Sequence, residues 1–445
     1  MVKNIKLEVD QLAKNAGIED LNTLQVKVIE ASQSTSHILI LAATGSGKTL
    51  AYLLPTILQL KETNCALIIA PTRELVLQIE QVVRSLKTRL HTVVCYGGHS
   101  FQSEVDRLSE QPQLIIGTPG RLNDHLVNKN LPLDKIDHLI IDEYDKCLEM
   151  GFEDQIQSLS EQLKNLNRTT LVSATTLAKL PDFIGSTNFT TIEGDKEIRG
   201  LLDIIGIDSN NSNRLQNLHS VLLEQRGKST MVFCNLRETT TIVHDYLRDE
   251  GFESTIYHGG MEQVDRERAF IQFSNGTFHT LICTDIGARG LDIDGVETVV
   301  HFELPREEAS YIHRNGRTAR MGKNGTSYLF LDEDSKKLDW LNPEELKKWS
   351  PSKQNDHYVI SPTVTIYFSG GKKDKLRKVD IVGTLIQLGG LKKEEIGQLH
   401  VMDNVSFAAI PRKKFKHVLE QLKGNKIKGK KFRIALAKPA ATERT

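Results

Sequence analysis

The sequence predicts an α/β fold, with two doubly wound parallel-sheet lobes followed by a small α+β domain. Its 445 residues correspond to two to four domains at roughly 100–200 residues each. Short apolar runs alternate with amphipathic stretches from residue 37 to about residue 330, which is the pattern of buried parallel strands in βα units. The last segment, of about 75 residues, follows the order β-α-β-β-α-β of a split βαβ domain.

Two series of apolar runs define the two lobes, residues 1–200 and residues 201–335. The runs predicted as strands of lobe 1 are His37–Ala42, Ala66–Ala70, Thr92–Tyr96, Leu114–Ile116, His138–Ile141 and Thr170–Val172. Those of lobe 2 are Thr230–Cys234, Ser254–Tyr257, Thr280–Cys283, Thr298–Phe302 and Thr326–Leu331. Polar residues dominate between the two series, and this composition predicts an inter-lobe linker over Asp195–Asn213.

The composition changes again after lobe 2. Residues 336–362 are polar, contain both tryptophans and are predicted to be a linker that acts as a tether. Residues 363–438 form the small domain, and residues 439–445 form a tail. The strands predicted in the small domain are Val364–Phe368, Leu399–Met402, Val405–Ile410 and Phe432–Ala437, and the helices are Val379–Leu388 and Lys413–Leu422.

The charge distribution separates the small domain from the rest of the chain. Hydrophobic residues make up 39% and charged residues 26%, which excludes a disordered or fibrous chain. The net charge is zero, but residues 364–438 hold 18 Lys and Arg against 6 Asp and Glu, a local charge of +12. A compact basic segment on an acidic body indicates a domain that binds a polyanion. A solvated, charge-rich surface is the alternative.

Cysteine spacing and hydropathy exclude several classes of protein. The 5 cysteines are scattered singly without a Cys-x-x-Cys pair, which fits neither a disulfide framework nor a zinc site. The longest apolar run, Ile38–Ala43, is far shorter than the ~20 residues of a membrane helix. Charged residues interrupt the N-terminal segment where a secretory signal needs an apolar core. We therefore expect a cytoplasmic protein that does not bind membranes.

The segment Ala42–Thr49 follows the first strand and opens a helix, which is the context of a phosphate-binding loop. Lys48 can reach the β- and γ-phosphates of a nucleotide, and the Thr49 hydroxyl can hold Mg²⁺. Ala42 stands where such loops usually have their first glycine. The residues predicted to bind the nucleotide are Ala43, Thr44, Gly45, Ser46, Gly47, Lys48 and Thr49. The motif does not distinguish ATP from GTP, and a glycine-rich turn with a chance lysine is the alternative.

Two carboxylates follow the fifth apolar run directly. Asp142, at a strand end beside the phosphate loop, is placed to hold Mg²⁺, and Glu143 is placed to deprotonate the attacking water. Carboxylates at strand ends also serve as helix caps, so these two residues indicate a catalytic site only in combination with Lys48.

The segment Tyr311–Arg320 supplies two arginines. On a helix, Arg317 and Arg320 are neighbours at i and i+3 and project together. A pair of arginines in one lobe that faces a γ-phosphate in the other fits a trans-cleft arginine finger. A basic surface helix is the alternative.

Taken in order, these motifs resemble those of the DEAD-box ATP-dependent RNA helicases of superfamily 2, over residues 17 to 331. The matching segments are Gln25, Ala42–Thr49, Pro71–Leu75, Gly97–Gly98, Thr118–Arg121, Asp142–Asp145, Ser173–Thr175, Met231–Asn235, Gln263-x-x-Arg266, Thr284–Asp292 and His313–Arg320. Any one match could arise by chance, whereas the full set in family order could not. The resemblance implies that both lobes are RecA-like.

The resemblance also implies a role for each matching residue. Gln25 would select ATP by binding the edge of the adenine base, and Asp292 would approach the ribose. His313 would complete the active site together with Arg317 and Arg320. Ser173 and Thr175 would couple nucleotide state to lobe closure by bonding the loop that ends at Asp145. The implied contacts to the RNA backbone are Arg73, Gly98, Thr118 and Arg121 in lobe 1, and Arg266, Thr284, Asp285 and Arg289 in lobe 2.

Several residues depart from the family pattern. Tyr144 replaces the alanine that names the family, so a bulky ring must fit beside the phosphate loop. No proline and no aromatic residue precedes Gln25, so the ring that stacks on adenine in the family is missing. Asn315 and Ala319 are milder changes within the last motif.

The basic small domain resembles the RRM-like RNA-binding domain of DbpA-type helicases, which bind a hairpin in large-subunit ribosomal RNA. Domains of this fold stack bases on aromatic residues of two central strands, where Tyr367, Phe368 and Phe407 are available here. The predicted phosphate and hairpin contacts come from three basic clusters and include Lys372, Lys373, Arg412, Lys413 and Lys430. Ordinary solvated lysines are the alternative.

The first functional hypothesis is an RNA-dependent ATPase that unwinds or remodels structured RNA, with ATP and Mg²⁺ as cofactors and hairpin-containing ribosomal RNA of the large subunit as partner. An ATP-gated RNA clamp or scaffold with little unwinding is the second. Lys48, Glu143, Arg317 and Arg320 argue against the second, because a scaffold needs none of them. DNA translocation is disfavoured by the matches at Pro71–Leu75 and Gln263-x-x-Arg266.

Overall fold

A computed structural model describes residues 2–42, 45–98, 100–175, 188–194, 202–210, 212–285, 296–319, 324–351 and 358–439. The chain divides into two compact units, with the boundary between Ile198 and Arg199. Within the described ranges, no helix combines the length and the apolar character that a membrane span needs. All 5 cysteines are buried and free.

The first unit is one parallel sheet of seven strands in the order β3-β4-β2-β5-β6-β1-β7. Its strands are β1 His37–Leu41, β2 Cys65–Ile69, β3 Thr92–Cys95, β4 Leu114–Gly117, β5 Ile136–Ile141, β6 Arg168–Ser173 and β7 Thr190–Glu193. Its helices are α1 Val2–Asn15, α2 Thr23–Ala31, α3 Lys48–Gln59, α4 Arg73–Ser85, α5 Phe101–Ser109, α6 Pro119–Val127, α7 Tyr144–Glu149 and α8 Glu153–Gln162, with a 3-10 turn at Leu133–Lys135.

Strand β2 shows why the apolar runs of this lobe are nearly continuous. Ala66 and Ile68 belong to one apolar layer, and Leu67 and Ile69 belong to the other. Alternate residues of a strand point to opposite faces, so a central strand covered on both faces must be apolar at every position. The doubly wound architecture predicted for lobe 1 is confirmed.

The second unit begins with another parallel sheet of seven strands, in the order β10-β11-β9-β12-β13-β8-β14. Its strands are β8 Leu202–Asp208, β9 Thr230–Cys234, β10 Thr255–Tyr257, β11 Thr280–Thr284, β12 Thr298–His301, β13 Gly325–Leu331 and β14 Lys347–Lys348. The helices that the structure describes here are α9 Arg214–Glu224, α10 Arg237–Asp249, α11 Gln263–Ser274 and α12 Glu308–Asn315, with 3-10 turns at Ser335–Lys337 and Pro343–Glu345.

Strand β8 lies within the segment predicted as an inter-lobe linker. It pairs with β13 over its whole length, from Leu202 opposite Gly325 to Asp208 opposite Leu331. Only Gly206 and Ile207 are deeply buried, and two aspartates and a glycine interrupt the apolar pattern. The polarity that indicated a linker is therefore that of a strand near the edge of a sheet.

The segment predicted as a tether also contacts lobe 2. Lys347 and Lys348 form β14, which pairs with β8. The Trp340 indole donates to the Arg306 carbonyl at 3.1 Å, and the Trp349 indole donates to Glu224 Oε2 at 3.0 Å. The described part of this segment thus lies along lobe 2 instead of forming a free tether.

The remaining residues form a four-stranded antiparallel sheet in the order β16-β17-β15-β20, which confirms the predicted α+β domain. Its strands are β15 Thr363–Phe368, β16 Leu399–Val401, β17 Ser406–Pro411 and β20 Ile434–Leu436, and its helices are α13 Lys378–Gln387 and α14 Phe415–Leu422. A separate hairpin joins β18 Lys426–Ile427 to β19 Lys430–Lys431, and 3-10 turns lie at Lys372–Asp374, Lys393–Glu395 and Arg412–Lys414.

Candidate active site and RNA interface

The phosphate loop lies between β1 and α3 and depends on glycine at two described positions. Gly45 and Gly47 have φ values of +90° and +81°, a region that only glycine adopts readily. A Cβ atom on Gly47 would lie 2.6 Å from Gln25 Nε2. The loop conformation and the approach of Gln25 therefore both require Gly47.

Lys48 is the first residue of α3 and is only 8% exposed. Its Nζ atom is buried and has no hydrogen-bond partner among the described residues. A buried ammonium group without a partner is costly, and phosphate oxygens at a helix N-terminus would supply the missing acceptors. The residues present therefore fit a nucleotide phosphate.

Gln25 is fixed to the phosphate loop through a capping box at the start of α2. The Asn22 side chain accepts from the Gln25 N–H, and the Asn22 N–H donates to Gln25 Oε1 at 2.9 Å. Gln25 Nε2 donates to the Gly47 carbonyl at 3.4 Å, and Asn22 Nδ2 donates to the Ser46 carbonyl at 2.9 Å. Asn22 was not among the predicted residues, although an Asn followed three residues later by a Gln is the signature of a capping box.

Asp142 follows β5 and is almost completely buried. Its Oδ1 accepts from the Glu143 N–H, and its Oδ2 accepts from the Tyr52 hydroxyl, both at 2.9 Å. Burial raises the pKa of Asp142 to about 6, against the opposing effect of the Lys48 charge. A carboxylate that burial penalises and that lies near a phosphate site fits a magnesium ligand.

Tyr52, a residue of α3 that sequence reasoning missed, is the neutral donor in this contact. Burial and the charge of Asp142 raise the pKa of Tyr52 well above its ordinary value, so the hydroxyl stays protonated and donates. The two residues are 90 positions apart, and no local pattern connects them.

Replacing Tyr52 with phenylalanine is expected to raise the Mg²⁺ concentration for half-maximal ATP hydrolysis by roughly tenfold. The ring stays in its apolar layer, but Asp142 loses a hydrogen bond of the charged type, which contributes about 1.5–3 kcal/mol. Magnesium titrations of RNA-stimulated ATPase activity measure the effect. Tyr144→Phe, which removes a hydroxyl two residues beyond Asp142, is the matched control. Equal shifts in the two variants would contradict the role of Tyr52.

Glu143 stands at the N-cap of α7 with φ 49° and ψ 51°. This left-handed conformation is strained for a residue with a side chain, and such strain concentrates at functional sites. It fixes the main chain at the residue that the sequence predicts as the general base.

The sequence led us to expect the Tyr144 ring beside the phosphate loop, but the ring lies in the core, on the face of the sheet opposite to α3. It is 1% exposed and belongs to the apolar layer of Ile69 and Cys147, whereas Tyr52 of α3 belongs to the layer on the other face of the sheet. The large side chain is therefore accommodated within the core.

Asp145 joins α7 to the end of β6. Its Oδ2 accepts from the N–H groups of Ala174 and Thr175 at 3.1 and 3.2 Å, and from the Thr175 hydroxyl at 3.0 Å. The Ser173 hydroxyl donates to the Thr175 carbonyl at 2.6 Å. Thr175 thus bonds the carboxylate loop directly, and Ser173 holds Thr175.

The four residues of lobe 1 predicted to contact RNA lie at helix starts and in a turn. Arg73 opens α4, and its guanidinium lies 4.9 Å from the centre of the Tyr96 ring. Gly98 has φ +80°, and a Cβ atom on it would lie 3.2 Å from Arg73 Nη1. Thr118 is the N-cap of α6, and Arg121 lies in the first turn of that helix.

In lobe 2, Asp285 forms a two-pronged ion pair with Arg314, a residue that our sequence analysis did not single out. Arg314 Nε donates to Asp285 Oδ1 at 2.7 Å, and Nη2 donates to Oδ2 at 2.6 Å. Arg314 is 1% exposed and also donates to the Glu303 carbonyl at 2.6 Å and to Asn235 Oδ1 at 2.8 Å. Asp285 therefore links two predicted motifs.

The other predicted residues of lobe 2 lie at the ends of strands or on helices. Thr284 ends β11, and His313 is on α12. Arg317 is 8% exposed, and the Arg266 guanidinium lies 5.1 Å from the centre of the Tyr257 ring. The predicted residues outside the described part of the chain are Ala43, Thr44, Arg289, Asp292 and Arg320.

Of the two departures in the last motif, Asn315 is explained by its contacts, whereas nothing in the described structure explains Ala319. Asn315 Oδ1 accepts from the Ser327 hydroxyl at 2.7 Å and lies 3.0 Å from His301 Nε2, so the polar side chain is satisfied in the core. Ala319 has φ 55° and adopts the left-handed conformation.

The small domain packs its aromatic sheet face on lobe 2. Phe407 of β17 is 3% exposed and forms one apolar cluster with Ile271 of α11 and with Tyr367 of β15. Gln272 Nε2 donates to the Ala437 carbonyl at 3.2 Å. Of the three aromatic residues that the sequence suggested as a stacking platform, Tyr367 and Phe407 therefore contact lobe 2, and Phe368 lies in the core of the small domain itself.

The predicted basic contacts of this domain differ in their surroundings. Lys372, Lys373 and Lys413 are exposed. Lys430 Nζ lies 3.3 Å from Asp374 Oδ1 on the surface. Arg412 Nη2 pairs with Glu253 Oε2 of lobe 2 at 3.1 Å, and its Nε donates to the Ser361 carbonyl at 2.6 Å.

Three family models match the chain in the order of its lobes. Residues 22–183 match the DEAD/DEAH box helicase model, and residues 213–322 match the helicase conserved C-terminal domain. Residues 365–436 match the DbpA RNA binding domain.

Curated relatives and solved structures give the same result. The ATP-dependent RNA helicase DbpA of Bacillus subtilis is 31% identical and covers 97% of this chain and 98% of its own length. The protein of the same name from Escherichia coli is 31% identical over 95% of each chain. The structure of Mss116p bound to single-stranded RNA and AMP-PNP has a TM-score of 0.67 and 27% identity over 78% of each chain.

Proposed function

The chain belongs to the DEAD-box ATP-dependent RNA helicases of DbpA type, and on this premise we propose that it remodels a hairpin-containing site of large-subunit ribosomal RNA during ribosome assembly. RNA-dependent ATP hydrolysis is the activity of this family. The choice of target rests on the match of residues 365–436 to the DbpA RNA binding domain, and the local charge of +12 in this domain, attached to an acidic helicase body, supports binding of RNA there. We also propose a cytoplasmic location, where the 5 buried and unpaired cysteines would stay reduced.

In the proposed cycle, lobe 1 binds and activates ATP. Lys48 neutralises the phosphates, and Glu143 accepts the proton of the attacking water. Asp142 and Thr49 would hold Mg²⁺, which would neutralise developing charge on the phosphates. Asp145 and Thr175 connect this loop to the segment that leads out of β6. Gln25 selects ATP from its position on the phosphate loop.

RNA binding across both lobes would favour their closure. The proposed backbone contacts are Arg73, Gly98, Thr118 and Arg121 in lobe 1, and Arg266, Thr284, Asp285 and Arg289 in lobe 2. Closure would bring Arg317 and Arg320 to the γ-phosphate and Asp292 to the ribose. Hydrolysis would then reopen the lobes and release the RNA.

The small domain would select the RNA through basic residues on surfaces other than its aromatic face. The β18–β19 hairpin presents exposed Lys426, Lys430 and Lys431 around a tight turn. Lys372 and Lys373 lie on a 3-10 turn whose Asp374 is paired with Lys430, so the two basic segments form one surface. Such a surface suits the phosphates of a folded RNA.

A hairpin of large-subunit ribosomal RNA is expected to stimulate ATP hydrolysis at a concentration at least about tenfold lower than a scrambled RNA of equal length. The triple change K426A/K430A/K431A should abolish this preference. It should also make the slope of log affinity against log salt concentration less steep by about two. K61A/K129A/K164A removes the same charge from lobe 1 and is the control. Equal stimulation by the two RNAs in the unaltered protein would overturn the ribosomal target.

Point changes are preferable to deletion of the domain in this test. Deleting residues 363–445 would expose the apolar surface of Ile271 and Phe270 in lobe 2. A loss of activity after deletion would therefore not separate targeting from stability.

A further inference from the structure

One carboxylate of lobe 1 lies among the proposed RNA contacts without being one of them. Glu104 of α5 is 1% exposed. Its Oε1 accepts from the Tyr96 N–H at 3.1 Å, and its Oε2 lies 2.9 Å from His125 Nε2 and 3.6 Å from Arg121 Nη1. A buried carboxylate needs such partners, and these three come from other segments of the lobe.

Two of these partners of Glu104 lie in or next to separate predicted RNA motifs. Tyr96 directly precedes the Gly97–Gly98 turn, and its ring faces the Arg73 guanidinium. Arg121 ends the Thr118–Arg121 motif. Glu104 is therefore the side chain that connects the turn after β3 to the first turn of α6.

Aromatic stacking also contacts His125 and Arg121, two of the partners of Glu104. The rings of Phe101 and His125 are stacked, with centroids 4.4 Å apart and an interplanar angle of 7°. The Arg121 guanidinium lies 5.4 Å from the centre of the Phe101 ring. Arg121 thus lies between a carboxylate and an aromatic face, which restricts the rotamers of a long side chain.

The hydrogen bonds assign a tautomer to His125. Asn130 Nδ2 lies 3.2 Å from His125 Nδ1, and an amide nitrogen can only donate. His125 Nδ1 must accept, so Nε2 carries the proton and donates to Glu104. The oxygens of Glu104 are then engaged by a backbone N–H, a histidine N–H and an arginine.

Cys95, Glu104 and His125 could instead suggest a metal site, because one donor atom from each lies within 4.8 Å of the others. The Arg121 cation beside the carboxylate disfavours a second cation there. Burial raises the pKa of the Cys95 thiol far above its ordinary value, so a thiolate ligand is disfavoured as well.

We propose that Glu104 is a positioning residue that fixes Arg121 and the Gly97–Gly98 turn in the geometry that grips the RNA backbone. The inference rests on the proposed RNA roles of Arg121 and Gly98. A guanidinium that is already held in place loses less conformational freedom when it binds a phosphate. Loss of the Glu104 contact would therefore weaken RNA binding although Arg121 itself is still present.

E104Q is expected to raise the RNA concentration for half-maximal ATPase stimulation by about tenfold, a typical coupling for residues in contact. The amide of glutamine can replace one acceptor oxygen but presents N–H groups where Arg121 and His125 need an acceptor. D106N removes the same charge from the exposed face of α5 and should leave this concentration within about twofold. F101L, a milder change beside Arg121, should raise the RNA concentration for half-maximal stimulation about threefold. It replaces E104Q in the test if E104Q does not fold.

Arg121→Ala separates the two levels of the proposal. If R121A leaves RNA stimulation unchanged, the proposed RNA role of Arg121 fails. If R121A weakens RNA binding while E104Q and F101L do not, only the positioning role fails. In the double variant E104Q/R121A the combined effect should be smaller than the sum of the single effects, because the part of the Glu104 effect that acts through Arg121 is already lost in R121A. Additive effects, or one equivalent of zinc in the purified protein, would overturn the inference.

Discussion

Replacing Glu143 with glutamine is expected to lower the RNA-stimulated turnover number by about 10²–10⁴-fold, the usual loss on removing a general base. Glutamine keeps the length and shape of the side chain, but its amide cannot accept a proton from water. The left-handed main chain at residue 143 and the bond from its N–H to Asp142 involve backbone atoms, so both remain. ATP and RNA should therefore still bind.

Single-turnover phosphate release and equilibrium binding of a fluorescent ATP analogue measure the two properties separately. Glu153→Gln, an exposed carboxylate at the start of α8, is the matched control and should hydrolyse ATP normally. Near-normal turnover in the Glu143 variant would remove that residue from the chemistry. A parallel loss of ATP binding would show that the carboxylate acts before the chemical step.

The sequence predicted the central strands of both lobes because their residues are buried on two faces. Cys65–Ile69 is apolar at every position and lies between two apolar layers. The edge strand β7, Thr190–Glu193, is mostly exposed, and its polar residues concealed it. Strand β8 was concealed for a similar reason. An apolar-run criterion finds a strand only where neighbours cover both of its faces.

The site residues also differ in whether the sequence could predict them. Residues within one short motif, such as Gly45–Thr49, could be found because the chemistry needs them at fixed spacing. The partners Tyr52 of Asp142 and Arg314 of Asp285 could not, since they meet only after strands from distant parts of the chain align. Their roles, like those of the other site residues, stay predictions.

The segment after lobe 2 shows what composition conceals. Its polar residues indicated a tether, but the indole N–H groups of Trp340 and Trp349 are anchored on lobe 2. Similarly, Tyr367 and Phe407 stand at the positions of a base-stacking platform, yet Phe407 is buried against Ile271 of lobe 2. Aromatic residues serve either purpose, and only the packing distinguishes them.

Loss of the arginine finger is the second change expected to have a large effect on turnover. The structure reduces the number of arginines that could fill this role. Three arginines lie in the last motif, at positions 314, 317 and 320. Arg314 uses its guanidinium within lobe 2, on Asp285, Asn235 and the Glu303 carbonyl. Its removal would break the partly buried ion pair with Asp285, so an Arg314 variant would test stability more than catalysis.

Arg320→Ala is therefore the informative change, and RNA-stimulated turnover should fall by about 10³–10⁵-fold, the contribution of arginine fingers in related phosphoryl transfers. ATP affinity should stay within a few-fold, because Lys48 and the phosphate loop of lobe 1 hold the ground state. Arg320→Lys should recover little, since a single ammonium cannot replace the planar fork around a γ-phosphate. Arg306→Ala, an exposed arginine of lobe 2, is the matched control and should keep full RNA stimulation. Full stimulation in the Arg320 variant would transfer the role to Arg317, and retention of activity after both changes would exclude a finger from this motif.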